Sequence, residues 1–261
     1  MTCDFSIVDG VGVVTFNRPD VLNAFNDELG IAVLKRFESA VGDDGVRCIV
    51  LTGAGRAFSS GEDLGALAGG YSSGSPPNLG DTLRNRYNPL IRAIRAAPKP
   101  VVAAVNGVAA GAGASIALAC DFRIASEHAK IVLAFIKVGL VPDSGALWFL
   151  SRIVGSAKAW ELGATGDAIS ADEALHLGIV SQVHPAGDFD GAWRSFARGL
   201  ASGPTRAYAL TKALVNTAAE RSLDEQLDGE IEAQSEAGRT RDHLEGVSAF
   251  FEKRRPAFEG R

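Results

Sequence analysis

KPVVAAVNGVAAGAGASIALACD, running from Lys99 to Asp121, has no charged side chain between Pro100 and Cys120. A run of that length could cross a membrane. It is built mostly of Ala and Gly, however, with Asn106 and Gly107 in its middle. A buried strand at Val101 to Val105, a turn at Asn106-Gly107 and a small-residue helix from Ala114 to Cys120 fit it better. Gly111-Ala112-Gly113 leads into that helix. Such a turn presents backbone N–H groups at a helix N-terminus, where they have no intrahelical acceptor and can hold an anion or an oxyanion.

Upstream, Val11 to Asn17 has a strand pattern closed by Arg18-Pro19-Asp20. Asn26 is placed as an N-cap with Asp27 and Glu28 in the first turn, and Ile31, Leu34, Phe37 and Val41 mark one helical face. After Gly42 to Gly45, Val46 to Thr52 is a second strand. Strand, helix, strand in that order implies parallel β structure with crossover helices. Gly53 to Leu64, GAGRAFSSGEDL, follows as a loop. It lacks the lysine of a P-loop, and Phe58 stands where a dinucleotide fingerprint needs its last glycine. Gly61 either makes a turn or lets the backbone approach a ligand. Gly69 to Gly80 is rich in Gly, Ser and Pro and is expected to be a mobile surface loop or a lid. Leu83, Tyr87, Leu90, Ile91 and Ile94 then fall on a helical stripe with a kink at Pro89.

Downstream, Phe122 to Ala125 and Ile131 to Ala134 are strand candidates, and Ala146 to Val154 is an apolar helix. Asp143 stands in front of that helix, where its bland role is an N-cap. Ser170 to Glu173 and Ser222 to Glu225 are capping-box patterns, Gly178 to Val183 is a last strand, and the pattern is helical from Asp188 onward. There is no internal repeat and no linker long enough to separate two independent domains.

The 261 residues, 46% hydrophobic and 22% charged, suit an ordinary globular protein with a sizeable core. A net charge of -5 gives no general attraction to nucleic acid or to an anionic membrane. Cys3, Cys48 and Cys120 are odd in number and widely spaced, which suits free thiols in a reducing cytoplasm. No basic stretch followed by an apolar run opens the chain, so no signal peptide is expected. The four histidines have no ligand spacing, and no metal is expected.

Five stretches in this order resemble the enoyl-CoA hydratase/isomerase (crotonase) superfamily: NRPDVLNAF, GAGRAFSSGEDL, the stretch quoted first, VGLVPDSGALWFL and EGVSAFFEKRRPAF. RYNPL, NGVAAGAGA, VGLVPDSG and EGVSAF are closest to its 1,2-epoxyphenylacetyl-CoA isomerase branch. The resemblance implies an α/β fold: a spiral of ββα turns with two roughly perpendicular sheets over residues 1–200, then a C-terminal helical region over 201–261 that trimerises. Two trimers commonly stack as a hexamer. The implied ligand is an acyl-CoA thioester, with coenzyme A as part of the substrate and no separate cofactor.

In that frame the thioester oxygen sits between the backbone N–H groups of Glu62, which follows Gly61, and Ala112, which follows Gly111. The two positions where hydratases carry glutamates hold Ser115 and Phe135, neither a carboxylate. Asp143, preceded by Pro142, stands where some isomerases carry their single acidic base, and this turns the reading of Asp143 from cap to catalysis. An apolar surround of Phe135, Val138 and Leu140 would raise its pKa if those residues line the pocket. Contacts to the adenine and pantetheine are carried over onto Val21, Leu22, Ala24, Ala57, Ser60, Asp63 and Leu64. Phe250 and Lys253 match positions from which a neighbouring subunit reaches the CoA. An acyl-CoA isomerase is therefore expected, by double-bond shift or by rearrangement of an epoxide; the alternative is a hydratase, for which Glu62 is the only nearby second acid.

Overall fold

The structure is a computed structural model that describes residues 1–75 and 77–261. β1 (Cys3–Val8) and β2 (Val11–Phe16) form an antiparallel hairpin across Asp9-Gly10, both with positive φ. α1 (Asp27–Gly42) follows, and Asn26 caps it by accepting the N–H of Leu29. The face that α1 buries is Leu29, Val33, Phe37 and Ala40. Ile31 is 68% exposed, so the expected face was rotated by part of a turn.

From there a strand of the larger sheet is followed by a strand of the smaller one, three times over. β3 (Cys48–Gly53) is followed by β4 (Ala57–Ser59), β5 (Val101–Val105) by β6 (Val108–Ala110), and β7 (Phe122–Ser126) by β8 (Lys130–Val132). The larger sheet, completed by β10 (Gln182–His184), has the order β1-β2-β3-β5-β7-β10. The smaller, completed by β9 (Ala168–Ser170), has the order β4-β6-β8-β9. All pairings are parallel except β1–β2 and β8–β9.

Both faces of the larger sheet are covered, which explains why β3 and β5 read as unbroken apolar runs. Ile49, Leu51, Val101, Ala103 and Val105 face the main core, where Phe16 meets Phe25 and Phe58 edge-on at 5.1 and 5.2 Å between ring centroids. The alternate residues Cys48, Val50, Val102 and Ala104 face Phe189, Trp193 and Ala197 of α8 (Ala186–Ala201).

Helices fill the connections. α2 (Leu64–Ser72) and α3 (Leu79–Thr82) occupy part of the stretch expected as a loop at 69–80; Pro76 of that stretch lies outside the described residues. A π-helical turn, Leu83–Tyr87, precedes α4 (Asn88–Ala96). The irregularity expected at Pro89 thus falls just before it, as the missing N–H and the ring force. α5 is Ala112–Ala119, and a 3₁₀ turn, Ala134–Val138, leads to α6 (Ala146–Thr165). α6 breaks at Gly155, φ 77°, directly after the expected end at Val154. α7 (Ala171–His176) and then α9 (Thr205–Ala218), α10 (Leu223–Ala237) and α11 (Arg241–Glu252) complete the chain. Among the described residues no helix is long and apolar enough to cross a membrane. All three cysteines are free and buried.

Candidate active site

The turn before α1 forms a shelf. Leu22 and Asn23 both have positive φ, and Asn23, fully buried, donates from its side chain to the carbonyls of Ala54 and Ala57. The segment after β4 zips onto this shelf: Ser60 N–H donates to Leu22, Phe25 N–H to Gly61 and Asp63 N–H to Phe25, at 2.7 to 2.9 Å. This parallel bridge engages the Gly61 carbonyl and the Asp63 N–H but not the Glu62 N–H, which has no acceptor among the described residues. Gly61 makes the turn possible, with φ 91°; a Cβ on it would lie 2.8 Å from the Ala110 carbonyl oxygen and 3.3 Å from the Ala112 nitrogen. The two turns expected to supply N–H donors therefore touch. Ala112 is the first residue of α5, so its N–H has no intrahelical acceptor. Gly111 ahead of it has φ 50° and ψ −126°, a conformation that suits glycine.

Asp143 enters the same cavity from the turn before α6. Ser144 and Gly145, both with positive φ, swing the chain so that Gly145 is the N-cap and no side chain caps the helix. Asp143 is therefore not a side-chain cap; its carboxylate accepts from the Ser144 hydroxyl at 2.8 Å. Burial raises its pKa above the ordinary aspartate value, the Ser144 hydrogen bond works against this, and the charge of Glu62 adds to it. Phe135, Val138 and Leu140 line the cavity beside it, as the sequence required for that shift. Ser115 is fully buried and donates to the main-chain carbonyls of both Gly111 and Asp143, at 3.2 and 3.0 Å. It ties the helix that presents Ala112 to the turn that presents Asp143.

The cavity has a volume of about 140 Å³ and is mainly apolar. Of the residues singled out in the sequence, Ser60, Glu62, Leu64, Gly111, Ala112, Phe135 and Asp143 line it. Val21, Leu22, Ala24 and Ala57 lie outside, in or against the shelf that carries residues 60–63. Asp63 also lies outside: it caps α2 through the Ala66 N–H and pairs with Arg18 at 2.9 Å. Burial opposes its ionisation, but those partners outweigh burial and hold its pKa below the usual value. Pro142 sits behind Asp143, near Gly163 of α6. Phe250 and Lys253 are exposed at the end of α11, away from the cavity.

Sequence reasoning missed the wall supplied by residues 71–87. Tyr71, Leu79, Thr82, Leu83 and Tyr87 line the cavity, although Leu83 and Tyr87 read only as a helical stripe. The available signal was Tyr87 itself: a tyrosine on a buried face needs a partner for its hydroxyl. That partner is Glu62, whose Oε2 accepts from the Tyr87 hydroxyl at 2.6 Å.

A larger cleft of about 410 Å³ lies elsewhere, between α9, α6 and β7. Its cations are already engaged. Asp121 pairs with Lys212 and Arg95, and Arg123 donates to the carbonyls of Leu118, Cys120 and Ile179. Among the described residues no donors converge there as they do beside Glu62 and Ala112, which leaves the smaller cavity as the candidate site.

Residues 6–261 match the family model described as enoyl-CoA hydratase/isomerase. The chain is 44% identical over 252 residues to a 1,2-epoxyphenylacetyl-CoA isomerase of Escherichia coli (strain K12), covering 97% of this chain and 96% of that one. It is 43% identical over 260 residues to a protein of Rhodobacter capsulatus named probable enoyl-CoA hydratase, covering 100% and 98%. The chain belongs to the enoyl-CoA hydratase/isomerase family. The crystal structure of a family enzyme, an enoyl-CoA hydratase from Bacillus anthracis, superposes with a TM-score of 0.91 at 30% identity over the whole of both chains. The family's ββα spiral is thus the fold seen here, and acyl-CoA hydratase/isomerase chemistry is the family's range.

Proposed function

We propose that the chain is an acyl-CoA isomerase that carries a proton on Asp143 between two carbons of a bound thioester. The observation that carries this reading is the state of the two carboxylates in the cavity. Glu62 is held by the Arg86 guanidinium and the Tyr87 hydroxyl, whereas Asp143 has no cation paired with it among the described residues and an elevated pKa. One carboxylate with raised proton affinity can take a proton from one carbon and return it to another. The N–H groups of Glu62 and Ala112 would hold the thioester oxygen as the enolate forms, and one such donor is typically worth ~10²–10³ in rate. Tyr71, Leu79, Leu83, Phe135, Val138 and Leu140 offer an apolar wall to the acyl group. Coenzyme A enters as the handle of the substrate, and no separate cofactor is needed. On this reading the chain shifts a 3-enoyl double bond or rearranges an epoxyphenylacetyl thioester, the latter supported by the name of the Escherichia coli relative.

The test is turnover of 3-enoyl-, 2-enoyl- and epoxyphenylacetyl-CoA esters side by side, with products identified by mass spectrometry. The reading requires isomerisation to exceed hydration by a wide margin in kcat/KM. Hydration that matches isomerisation would favour the second reading, a hydratase, which the hydratase names of the other two relatives support. Glu62 would then be the missing second acid.

The assembly proposed is a homotrimer or a dimer of trimers, with Phe250 and Lys253 reaching a neighbour's CoA. Its support is the apolar surface left open on α10 and α11, where Leu223, Ile231, Leu244, Phe250 and Phe251 are 65 to 79% exposed.

A further inference from the structure

Glu62 does more than lend a peptide N–H. Its Oε1 lies 3.1 Å from Arg86 Nη2 and its Oε2 accepts from the Tyr87 hydroxyl at 2.6 Å. Arg86 is 9% exposed and Tyr87 is 2% exposed. A buried guanidinium is costly unless its donors are satisfied. Arg86 gives Nη1 to the Phe25 carbonyl at 3.2 Å, but its Nε is buried with no partner among the described residues. The stem of Arg86 lies so close over α1 that a Cβ on Gly30 would come within 2.5 Å of its Cγ and Cδ. This is a poor arrangement for stability and a good one for gripping a carboxylate from two sides.

We propose that Arg86 and Tyr87 clamp Glu62, that the clamp fixes the Glu62 peptide as an oxyanion donor, and that the carboxylate it holds places its charge in the cavity that Asp143 enters. The inference rests on the reading of Asp143 as proton carrier and of the Glu62 N–H as donor. The main chain of Glu62 is held on both sides by the bridge to Phe25, and the side-chain clamp removes its remaining freedom, so the donor needs no reorganisation during reaction. Among the described residues Glu62, from the segment after β4, and Tyr87, from the π turn, bear on Asp143, and Arg86 of the same turn, 3.1 Å from the Glu62 carboxylate, offsets part of its charge. Lys137 of the 3₁₀ turn is exposed to solvent. Burial and the neighbouring Glu62 carboxylate push the Tyr87 hydroxyl well above its usual range, so it stays a neutral donor. The Glu62 carboxylate adds to the effect of burial in favouring the protonated carboxyl of Asp143, which is what the return of the proton requires.

Arg86, Tyr87 and Glu62 are positioning residues on this account, and the test reads pH profiles and the split between kcat and KM, using trans-3-hexenoyl-CoA as the probe. Glu62→Gln should move the acid limb of the rate profile to lower pH by about half a unit or more, and lower kcat about tenfold with KM changed less than threefold. Tyr87→Phe, which removes one hydroxyl and keeps the packing, should lower kcat several-fold at unchanged KM. An unshifted acid limb in Glu62→Gln, or a Tyr87→Phe enzyme with kcat within twofold of the parent, overturns the proposal. Asp143→Asn is the control for the reading beneath it. If that variant isomerises the probe at the parent rate, the assignment of Asp143 has failed rather than the clamp. Should Glu62→Gln not fold, Tyr87→Phe decides alone.

Discussion

The burial of Asp143 costs the folded protein stability at neutral pH. Its pKa is raised in the folded protein, so the fold favours the protonated carboxyl. The stabilising contribution is complete below the unfolded pKa, near 3.9, and is lost as pH rises through the folded value. Asp143→Asn, neutral at every pH, should therefore melt at or above the parent temperature at pH 7, and lose that advantage near pH 3. The same substitution should reduce isomerisation at least ~10²-fold, the lower end of what a general acid–base group supplies, with little change in affinity for the CoA ester. Parallel melting curves and rate measurements check both halves. A variant that loses activity only in step with folded protein would instead assign Asp143 a structural role. Ser115→Ala should keep most of the rate, because Ser115 reaches Asp143 only through its carbonyl; a loss of ~10²-fold would place the hydroxyl in the chemistry. Asp143 was legible in the sequence by position. The side chain of Glu62 was not, because its partners lie 24 and 25 residues further on, and no local spacing joins a loop to a π turn.

At the scale of elements, the sharpest expectation concerns Gly61→Ala. A methyl there meets the Ala110 carbonyl and the residue must hold φ 91°, so either the bridge to Phe25 opens or the donor tilts. Activity should fall more than ~10²-fold, on the scale of a lost oxyanion donor, and a kcat loss with preserved secondary structure by circular dichroism is the expected signature. Removing the Ser222 cap of α10 (Ser222→Ala) should cost about 1 kcal/mol at most, since both bonds of its capping box are formed on an exposed helix. Elements were most legible where periodicity and punctuation agreed. β5 runs from Val101 to Val105 as expected, and the capping box at Ser222 is complete. In the smaller sheet β8 was expected, as Ile131 to Ala134, but β4 and β6 were not: they are three residues each, too short for any period, and their pairing is dictated by the larger strands before them. β1 was missed because it is an edge strand that is largely exposed, with only Cys3 buried and both Ile7 and Val8, on opposite faces, open to solvent. α2 was obscured by glycines that local propensity disfavours and tertiary context overrides.

For the molecule as a whole, light scattering at micromolar concentration should report a trimer or hexamer; a monomer would leave the apolar faces of α10 and α11 unexplained. The thiols offer an independent measure of how closed the core is. Burial raises Cys3 to about 11 and Cys48 and Cys120 to about 12, so almost none is thiolate at pH 8. Iodoacetamide should leave the native protein unmodified and label all three cysteines after denaturation, as counted by mass.

The bridge between Phe25 and Glu62 has a kinetic consequence for solvent hydrogen. The amides of Phe25 and Asp63 are locked into it, while those of Glu62 and Ala112, on neighbouring turns that line the cavity, have no acceptor among the described residues. In the free protein these two should trade hydrogen for deuterium rapidly within a slowly exchanging surround. A bound thioester should slow both together if they form the proposed oxyanion site, whose filling can then be watched without any reaction taking place.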